Sequence, residues 1–370
     1  MAIKQKRNTT VYAKIQANKG EAAVIAAANA LDPVGDSPFV QPKGETIDRG
    51  LIRGSRFPSK KAIGGRWGEG SLNLELRGSG VAGTAPEFGP LMLTLLGSEL
   101  TNAAGTVADI AATTTEFDSA LSLTVGQLVR VAIGTGYEVR RIATKSGGGP
   151  YTYTVQRAFS QAPADAAVIT AGVTYTHLGS EAEKYFTLDQ YLDGLRLLCV
   201  DAVCESLAFG VTEREVIKGQ FGLRSLSCAE SAAADALTPV WDDTAPLIGT
   251  ECNLLLAGAA LNMKGFEFSL ATRRARGGIN TAGFGEAPWK SLFEAPGKLT
   301  PWVEDAAPLT AFFAATLADI EMTKGSAAGN ILHVLLEDIQ YTGADVGDDE
   351  GDFSWDLPFE ITGAVSIGLF

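Results

Sequence analysis

RWGEGSLNLELRGSGVAGTAPEFGPLMLTLLGSE, residues 66–99, is the stretch on which the fold turns. Gly78, Gly80 and Gly83 spell GxGxxG between a strand-like run and a helix-like run, where a dinucleotide fingerprint would sit. The flanks read otherwise. A strand feeding a nucleotide loop is covered on both faces and is apolar throughout, whereas here Leu72, Leu74 and Leu76 alternate with Asn73, Glu75 and Arg77. That period of two belongs to an antiparallel strand with one wet face. The helix should also begin inside the glycine motif, so that its first amides reach a pyrophosphate; instead Thr84, Ala85, Pro86 and Gly89 intervene. Pro90 takes the place of a first helical residue, Leu91, Met92, Leu95 and Leu96 form the apolar stripe, and Gly97 is the stop. The glycines therefore end a strand and turn a corner.

Outside this corner, composition narrows the class. A chain of 370 residues has room for two or three domains and a substantial core. With 46% hydrophobic and 20% charged residues it is neither disordered nor membrane-spanning, and no apolar run approaches the length of a transmembrane helix. Lys4, Lys6 and Arg7 are not followed by a secretory apolar stretch, since Asn8, Thr9, Thr10, Lys14, Gln16 and Asn18 interrupt it. Cys199, Cys204, Cys228 and Cys252 form no CxxC pair and are too sparse for a disulfide scaffold, so they read as buried free thiols made in a reducing cytoplasm.

The net charge of −13 is unevenly spread. Residues 1–61 hold eleven basic side chains against five acidic ones, so the remainder carries −19. An acidic body repels nucleic acid, which argues against conventional DNA binding. The basic arm, with Lys4, Lys6, Arg7, Lys14 and Lys19, suits an acidic surface on another copy of the protein, or is a solvated terminus.

Most of the chain reads as strands and turns, giving a mainly β protein with a few short helices. Lys184 to Leu188 and Leu195 to Val200 flank an Asp193-Gly194 turn, followed by Glu205 to Arg214, Val216 to Leu226, Asn253 to Ala257 and Phe266 to Arg273. Ile331 to Tyr341 and Asp352 to Thr362 close the chain around an acidic loop. Besides Pro90 to Leu96, helices are expected at the Ala-rich run Glu21 to Leu31 and at Leu309 to Ala318, after Pro308. Residues 117–176 read as an inserted small β-barrel-like domain, with short strands at Phe117, Leu121 to Gly126, Leu128 to Ile133, Tyr137 to Ile142, Tyr151 to Arg157 and Ala167 to Thr174. The division is then 1–40 as an N-terminal arm, 41–116 and 177–370 as the two parts of one β body, and 117–176 as the insertion.

No catalytic set emerges. Only His177 and His333 are available for a nucleophilic triad or a metal; His333 sits in an apolar strand as a core or interface histidine would, and His177 lacks a local partner pattern. GxSxG, phosphate-loop and HExxH motifs do not occur. The acidic residues Asp345, Asp348, Asp349, Glu350, Asp352 and Asp356 do not follow EF-hand spacing and read as a solvated loop or a surface kept negative. Trp67, Trp241, Trp289, Trp302 and Trp355 share no period, so they suit a core or interfaces better than a sugar platform.

The order of the pieces carries a resemblance. Glu45 to Gly97, through ETIDRG, GSRFPSKKAIGGRWGEGSLNLELRGSG and GPLMLTLLG, resembles the N-terminal part of tailed-bacteriophage tail tube proteins, and KYFTLDQYLDGLRLLCVDAVCESLAFGV, Lys184 to Val211, resembles that family's second block. The resemblance implies a tail-tube-type β-sandwich or barrel, a homohexameric ring stacked into a tube, and passage of double-stranded DNA through its lumen without sequence-specific binding. It implies a virion tail location after assembly in the host bacterial cytoplasm, with the tape-measure, tail-tip and tail-terminator proteins as partners, and no cofactor, metal or catalytic residue. Glu75, Glu205, Glu213 and Glu267, on polar strand faces, are the candidate lumen-facing acids, and the insertion is expected on the outer wall. A carbohydrate-active enzyme on a β scaffold, or another capsid or baseplate component, is the competing reading; glycan hydrolysis separates the first and position in the particle the second.

Overall fold

A computed structural model of the protein describes residues 9–35, 39–47, 61–108, 112–179, 181–277, 284–304, 306–349 and 351–370. In chain order come β1 (Thr9–Ile15), β2 (Ala30–Leu31), β3 (Gln41–Ile47), β4 (Ala62–Glu75) and helix α1 (Gly89–Leu96). β5 (Ser98–Asn102) leads to β6 (Gly105–Thr106), β7 (Glu116–Ser119), β8 (Leu128–Ile133), β9 (Gly136–Ser146), β10 (Tyr151–Val155) and β11 (Val168–Ile169). β12 (Gly172–Thr176), β13 (Phe186–Leu192), β14 (Leu195–Thr212) and β15 (Lys218–Ala232) follow. Next are β16 (Asn253–Leu256), β17 (Ala259–Ala260), β18 (Met263–Arg273), β19 (Arg276–Gly277), β20 (Phe284–Glu286), β21 (Trp289–Glu294) and β22 (Pro296–Pro301). Helix α2 (Ala307–Phe313) precedes β23 (Ala318–Lys324), β24 (Leu332–Tyr341), β25 (Asp345–Asp349), β26 (Asp352–Ile361) and β27 (Val365–Leu369). The protein is mainly β, as the alternating runs predict.

Two layers face each other across one core. The first runs β4-β15-β14-β18-β22-β26, the second β5-β12-β27-β24-β23-β16. β24 belongs to both: Leu332 to Leu336 pair with β27, and after a bend at Asp338, whose φ is 52°, Ile339 to Tyr341 pair with β26. This joins the layers along one side. The inward residues follow the period of two, with Leu72, Leu74, Phe221, Phe209, Phe268 and Phe359 from the first layer meeting Val173, Ile320, Met322, Val334 and Ile367 from the second. Burying each such side chain contributes about 1.5–3 kcal/mol.

Turn chemistry sets the central meander. Asp193 and Gly194 both take positive φ, 50° and 83°, as a two-residue hairpin turn matching strand twist requires. The turn joins β13 to β14. Two expected strands, Leu195 to Val200 and Glu205 to Arg214, are halves of the 18-residue β14, which bends at Asp201 (φ 55°) and at a register shift between Cys204 and Ser206. Such irregularities increase local twist, and here they carry one strand from β13 onto β18.

The glycine corner is packed from both sides. The Gly78 amide donates to Asn330 Oδ1 at 3.0 Å and the Gly80 amide to the Gly329 carbonyl at 3.1 Å. Gly80 and Gly83 have φ of 73° and 78°, which L side chains adopt at a cost. Two of the amides a phosphate would need are thus committed within the chain. Beyond the corner Pro90 stands in the first turn of α1, and Gly97 closes it with φ 92° and an amide bond to the Leu93 carbonyl. Leu91, Met92 and Leu95 are buried against β14, β1 and β12.

Residues 105–169 contribute a separate six-stranded sheet, β6-β11-β8-β9-β10-β7, around Phe117, Val129, Val131, Ile142 and Tyr153. It departs from the body at a hairpin tip, because Asn102 of β5 pairs with Gly172 of β12. The expected strand Ala167 to Thr174 is split: Val168–Ile169 joins the small sheet and Gly172–Thr176 the large one. Leu121 to Gly126 is irregular. Arg140 and Arg157 reach Glu321, and Arg141 reaches Glu337 at 3.1 Å. Leu128 and Val139 complete the junction against Ile331, Leu335 and Phe370.

Several expectations are corrected. Glu21 to Leu31 is no helix; apart from a 3-10 turn at Ala27–Asn29 it runs irregular or extended, with burial alternating and the Ala23 amide bonded to Thr187 Oγ1 at 2.8 Å. Docking on the sheet outweighs the alanine propensity, which is a weak prior. Nor is residue 9 onward an arm, since β1 lies between β13 and β2 with Val11, Tyr12 and Ala13 buried. The second expected helix begins two residues earlier and stops at Phe313, because Ala315 turns with φ 49° and Ala318 opens β23. The acidic loop is a hairpin, β25 against β26, with Asp345 opposite Asp356 and Gly351 at φ 101°; Glu350 lies outside the described residues.

Candidate functional surface

The outward face of the first layer carries ordered rows of polar and charged side chains. Ladder registers place Glu75, Lys218, Gly210, Glu267 and Lys298 in one row across β4, β15, β14, β18 and β22. A second row holds Asn73, Gln220, Ala208 and Ser269. Alternation fixes this, since each strand's opposite residues fill the core. Small residues occupy the middle, and a Cβ added at Gly210 would meet nothing within 4 Å. The surface is smooth there.

Three of the four nominated acids meet on this face. Glu75 is held by Arg77 at 3.2 Å and stands opposite Lys218; Glu205 binds Arg224 at 2.9 Å; Glu267 is exposed and stands opposite Lys298. Lys298 also binds Asp356 at 2.9 Å. Glu213 does not join them: it sits past the end of β14, beside Arg214 at 3.1 Å. Sequence reasoning missed the interleaved cations Lys218, Arg224 and Lys298, although Lys218 was visible as the polar alternate of a strand candidate. Opposite charges on facing strands attract, and like charges there would repel. The face is therefore a mosaic in which carboxylates outnumber cations.

Arg77 departs from its expected wet position. Its guanidinium donates to the carbonyls of Asp242 and Thr244 at 2.7 and 3.1 Å and approaches Asp32 at 3.6 Å, with 9% of the side chain exposed. The segment 242–244 thus covers the strand end. Of the basic arm, Lys14 donates to the Val24 carbonyl at 2.9 Å and Lys19 to the Gly285 carbonyl at 2.6 Å, both within the chain. Lys4, Lys6 and Arg7 lie outside the described residues.

The histidines occupy separate environments. His333 Nδ1 pairs with Thr323 Oγ1 at 2.8 Å across β24 and β23, and burial pushes its imidazole down to about 3, so it stays neutral. His177 lies 3.2 Å from Glu181, against the rings of Trp289 and Phe293. Trp67 packs edge-on to Phe284, and Trp355 is buried in the core. These contacts are structural.

From residue 6 to residue 363 the chain matches a family model described as phage tail tube protein. No curated protein sequence matches it.

Proposed function

The chain belongs to the phage tail tube protein family, and on that premise we propose that its copies form six-membered rings that stack into a hollow tube, through which double-stranded DNA leaves the particle for the bacterial host. The protein is accordingly a structural component of the virion tail. Assembly takes place in the host cytoplasm, around the tape-measure protein and between the tail-tip and tail-terminator proteins. The observation that carries this reading is the smooth mosaic face: it presents carboxylates in excess, pairs Arg224 and Lys298 with them and sets Lys218 opposite Glu75, so that among the described residues it offers a duplex no continuous row of cations. With few phosphates neutralised, counterion release gives little binding. Edge strands that would invite aggregation in a lone copy are covered when neighbouring copies pair around a ring. Electron microscopy of the purified protein should show rings or tubes with a central hole; a protein that stays monomeric alone and with its tail partners overturns the reading.

If this face lines the lumen, the quadruple substitution Glu69→Gln, Glu205→Gln, Glu267→Gln and Asp356→Asn frees Arg224 from the two carboxylates that bind it and Lys298 from Asp356 and the facing Glu267. Tubes should still form, but they should retain short duplex DNA at about 50 mM salt and release it by about 200 mM, with a log–log salt slope steeper by about one unit for each cation freed. Retention unchanged from the parent tube would place the face elsewhere.

The small sheet is proposed for the outer wall. Because Asn102 and Gly172 are cross-strand partners, residues 103–171 can be replaced by an Asn-Gly turn that leaves β5 and β12 as an ordinary hairpin. The deletion uncovers Ile331, Leu335 and Phe370, so thermal unfolding should begin at lower temperature. Tubes of unchanged lumen diameter should nevertheless assemble, and a folded deletion variant that forms none would refute the placement.

A further inference from the structure

Cys199 of β14 and Cys228 of β15 are direct cross-strand partners, with Sγ atoms 2.6 Å apart. Partners in an antiparallel ladder keep their Cα atoms about 4.5 to 5.5 Å apart, inside the span of about 4.4 to 6.8 Å that a disulfide bridges. Neither backbone has to move. Cys199 is fully buried and Cys228 is half-buried. The other two cysteines are placed differently: Cys204 is buried with its thiol on the Ser206 carbonyl, and Cys252 lies beside β16.

We propose that Cys199 and Cys228 are an oxidisable pair that closes into a cross-strand disulfide when the protein meets a small disulfide oxidant. With oxidised glutathione, the Cys228 thiolate attacks one glutathione sulfur, forming a mixed disulfide and releasing one glutathione thiolate. The Cys199 thiol then loses its proton to solvent and attacks the Cys228 sulfur, expelling the second glutathione. Two cysteine thiols become one disulfide, one oxidised glutathione becomes two thiols, and two electrons pass to the oxidant.

The order of attack follows from the geometry. Only Cys228 offers surface to an incoming molecule, and the hydrogen bond from the Cys199 thiol holds Cys228 below the ordinary thiol range, while that same bond and burial raise Cys199. A reducing compartment keeps the pair open; an oxidising medium closes it and fixes the register of the β14–β15 hairpin, whose far half carries Lys218, Gln220 and Arg224 of the mosaic face. This modification goes beyond the tube reading and holds whether or not that reading does.

The test uses the full chain, reduced and then treated with oxidised glutathione, alkylated without reduction and mapped by mass spectrometry. Expected is a single species lighter by two hydrogen atoms, with the Cys199 and Cys228 peptides cross-linked, Cys204 and Cys252 alkylated, and the melting temperature several degrees higher than in the reduced protein. In Cys199→Ser the reaction should stop at a glutathione adduct on Cys228. Four alkylated cysteines, a persistent adduct on Cys228 of the parent chain, or a dimer on a non-reducing gel would each overturn the proposal, and the parent map decides the matter even where the variant fails to fold.

Discussion

Gly78→Ala is expected to lower unfolding free energy by on the order of 3 kcal/mol, while Gly148→Ala changes it by no more than about 0.5 kcal/mol. A Cβ on residue 78 would stand 1.9 Å from the Gly329 carbonyl oxygen and 2.8 Å from its carbon. Both are backbone atoms, so no rotamer change relieves the overlap. The opposing chain is equally constrained, because a Cβ on Gly329 would fall 2.3 Å from Gly80 and its φ is 83°. Glycine crosses glycine here. Retreat of the 325–330 turn would break the bonds from Gly78 to Asn330 Oδ1 and from Gly80 to the Gly329 carbonyl, and would pull on the bond from the Gly329 amide to the Phe370 carbonyl. At Gly148 a Cβ meets nothing within 4 Å. Urea unfolding of the unassembled protein measures both; equal midpoints for the two variants would mean that the corner is not a backbone crossing.

That corner also marks how far the sequence could be read. Alternation of Leu72, Leu74 and Leu76 gave the strand and its buried side, Pro90 and Gly97 bracketed α1, and Asp193-Gly194 placed the central hairpin, because each is a local rule that the surroundings reinforce. The role of Gly78 was only half legible: its freedom from a Cβ serves a contact 251 residues away, and no local pattern announces that partner. The alanine run at 21–31 failed for the opposite reason, since its propensity is local and its docking on Thr187 is not. For the mosaic face, period-two reasoning put Glu75, Glu205 and Glu267 on polar sides, but their placement on one face depends on strand order and register. Glu213 lay one step beyond the end of its strand, where alternation no longer assigns a side. Arg77, read as wet from its parity, is covered by residues 242–244. Parity fixes the face of a strand and says nothing about what later chain folds over its end.

Arg273 is the residue whose loss should be felt most, and nothing in the sequence singled it out. Its side chain is fully buried at the end of β18. The guanidinium donates to the Thr94 carbonyl at 3.0 Å and the Ala287 carbonyl at 2.7 Å, lies 3.5 Å from the centre of the Trp289 ring, and approaches Glu183 at 3.8 Å. Burial lowers it to about 10, which leaves it cationic at neutral pH. The Thr94 carbonyl belongs to the last turn of α1, where orphan carbonyls and the helix dipole both favour a cation. Thr272 supports the same turn from the neighbouring position, its hydroxyl donating to the Leu95 carbonyl at 2.9 Å. Arg273→Met keeps most of the volume but leaves the Thr94 and Ala287 carbonyls without their buried donor, a loss of about 2–4 kcal/mol, while the part-exposed Glu183 is left to solvent. Arg273→Lys should recover little of it, since one ammonium cannot reach two carbonyls in the fork geometry and also lie flat on an indole. Chemical denaturation gives the stability change, and Trp289, released from the guanidinium, should report a shifted emission in the native state of both variants. A Met variant as stable as the parent would show that α1 is held by its apolar face alone, with Leu91, Met92 and Leu95 sufficient to seat it.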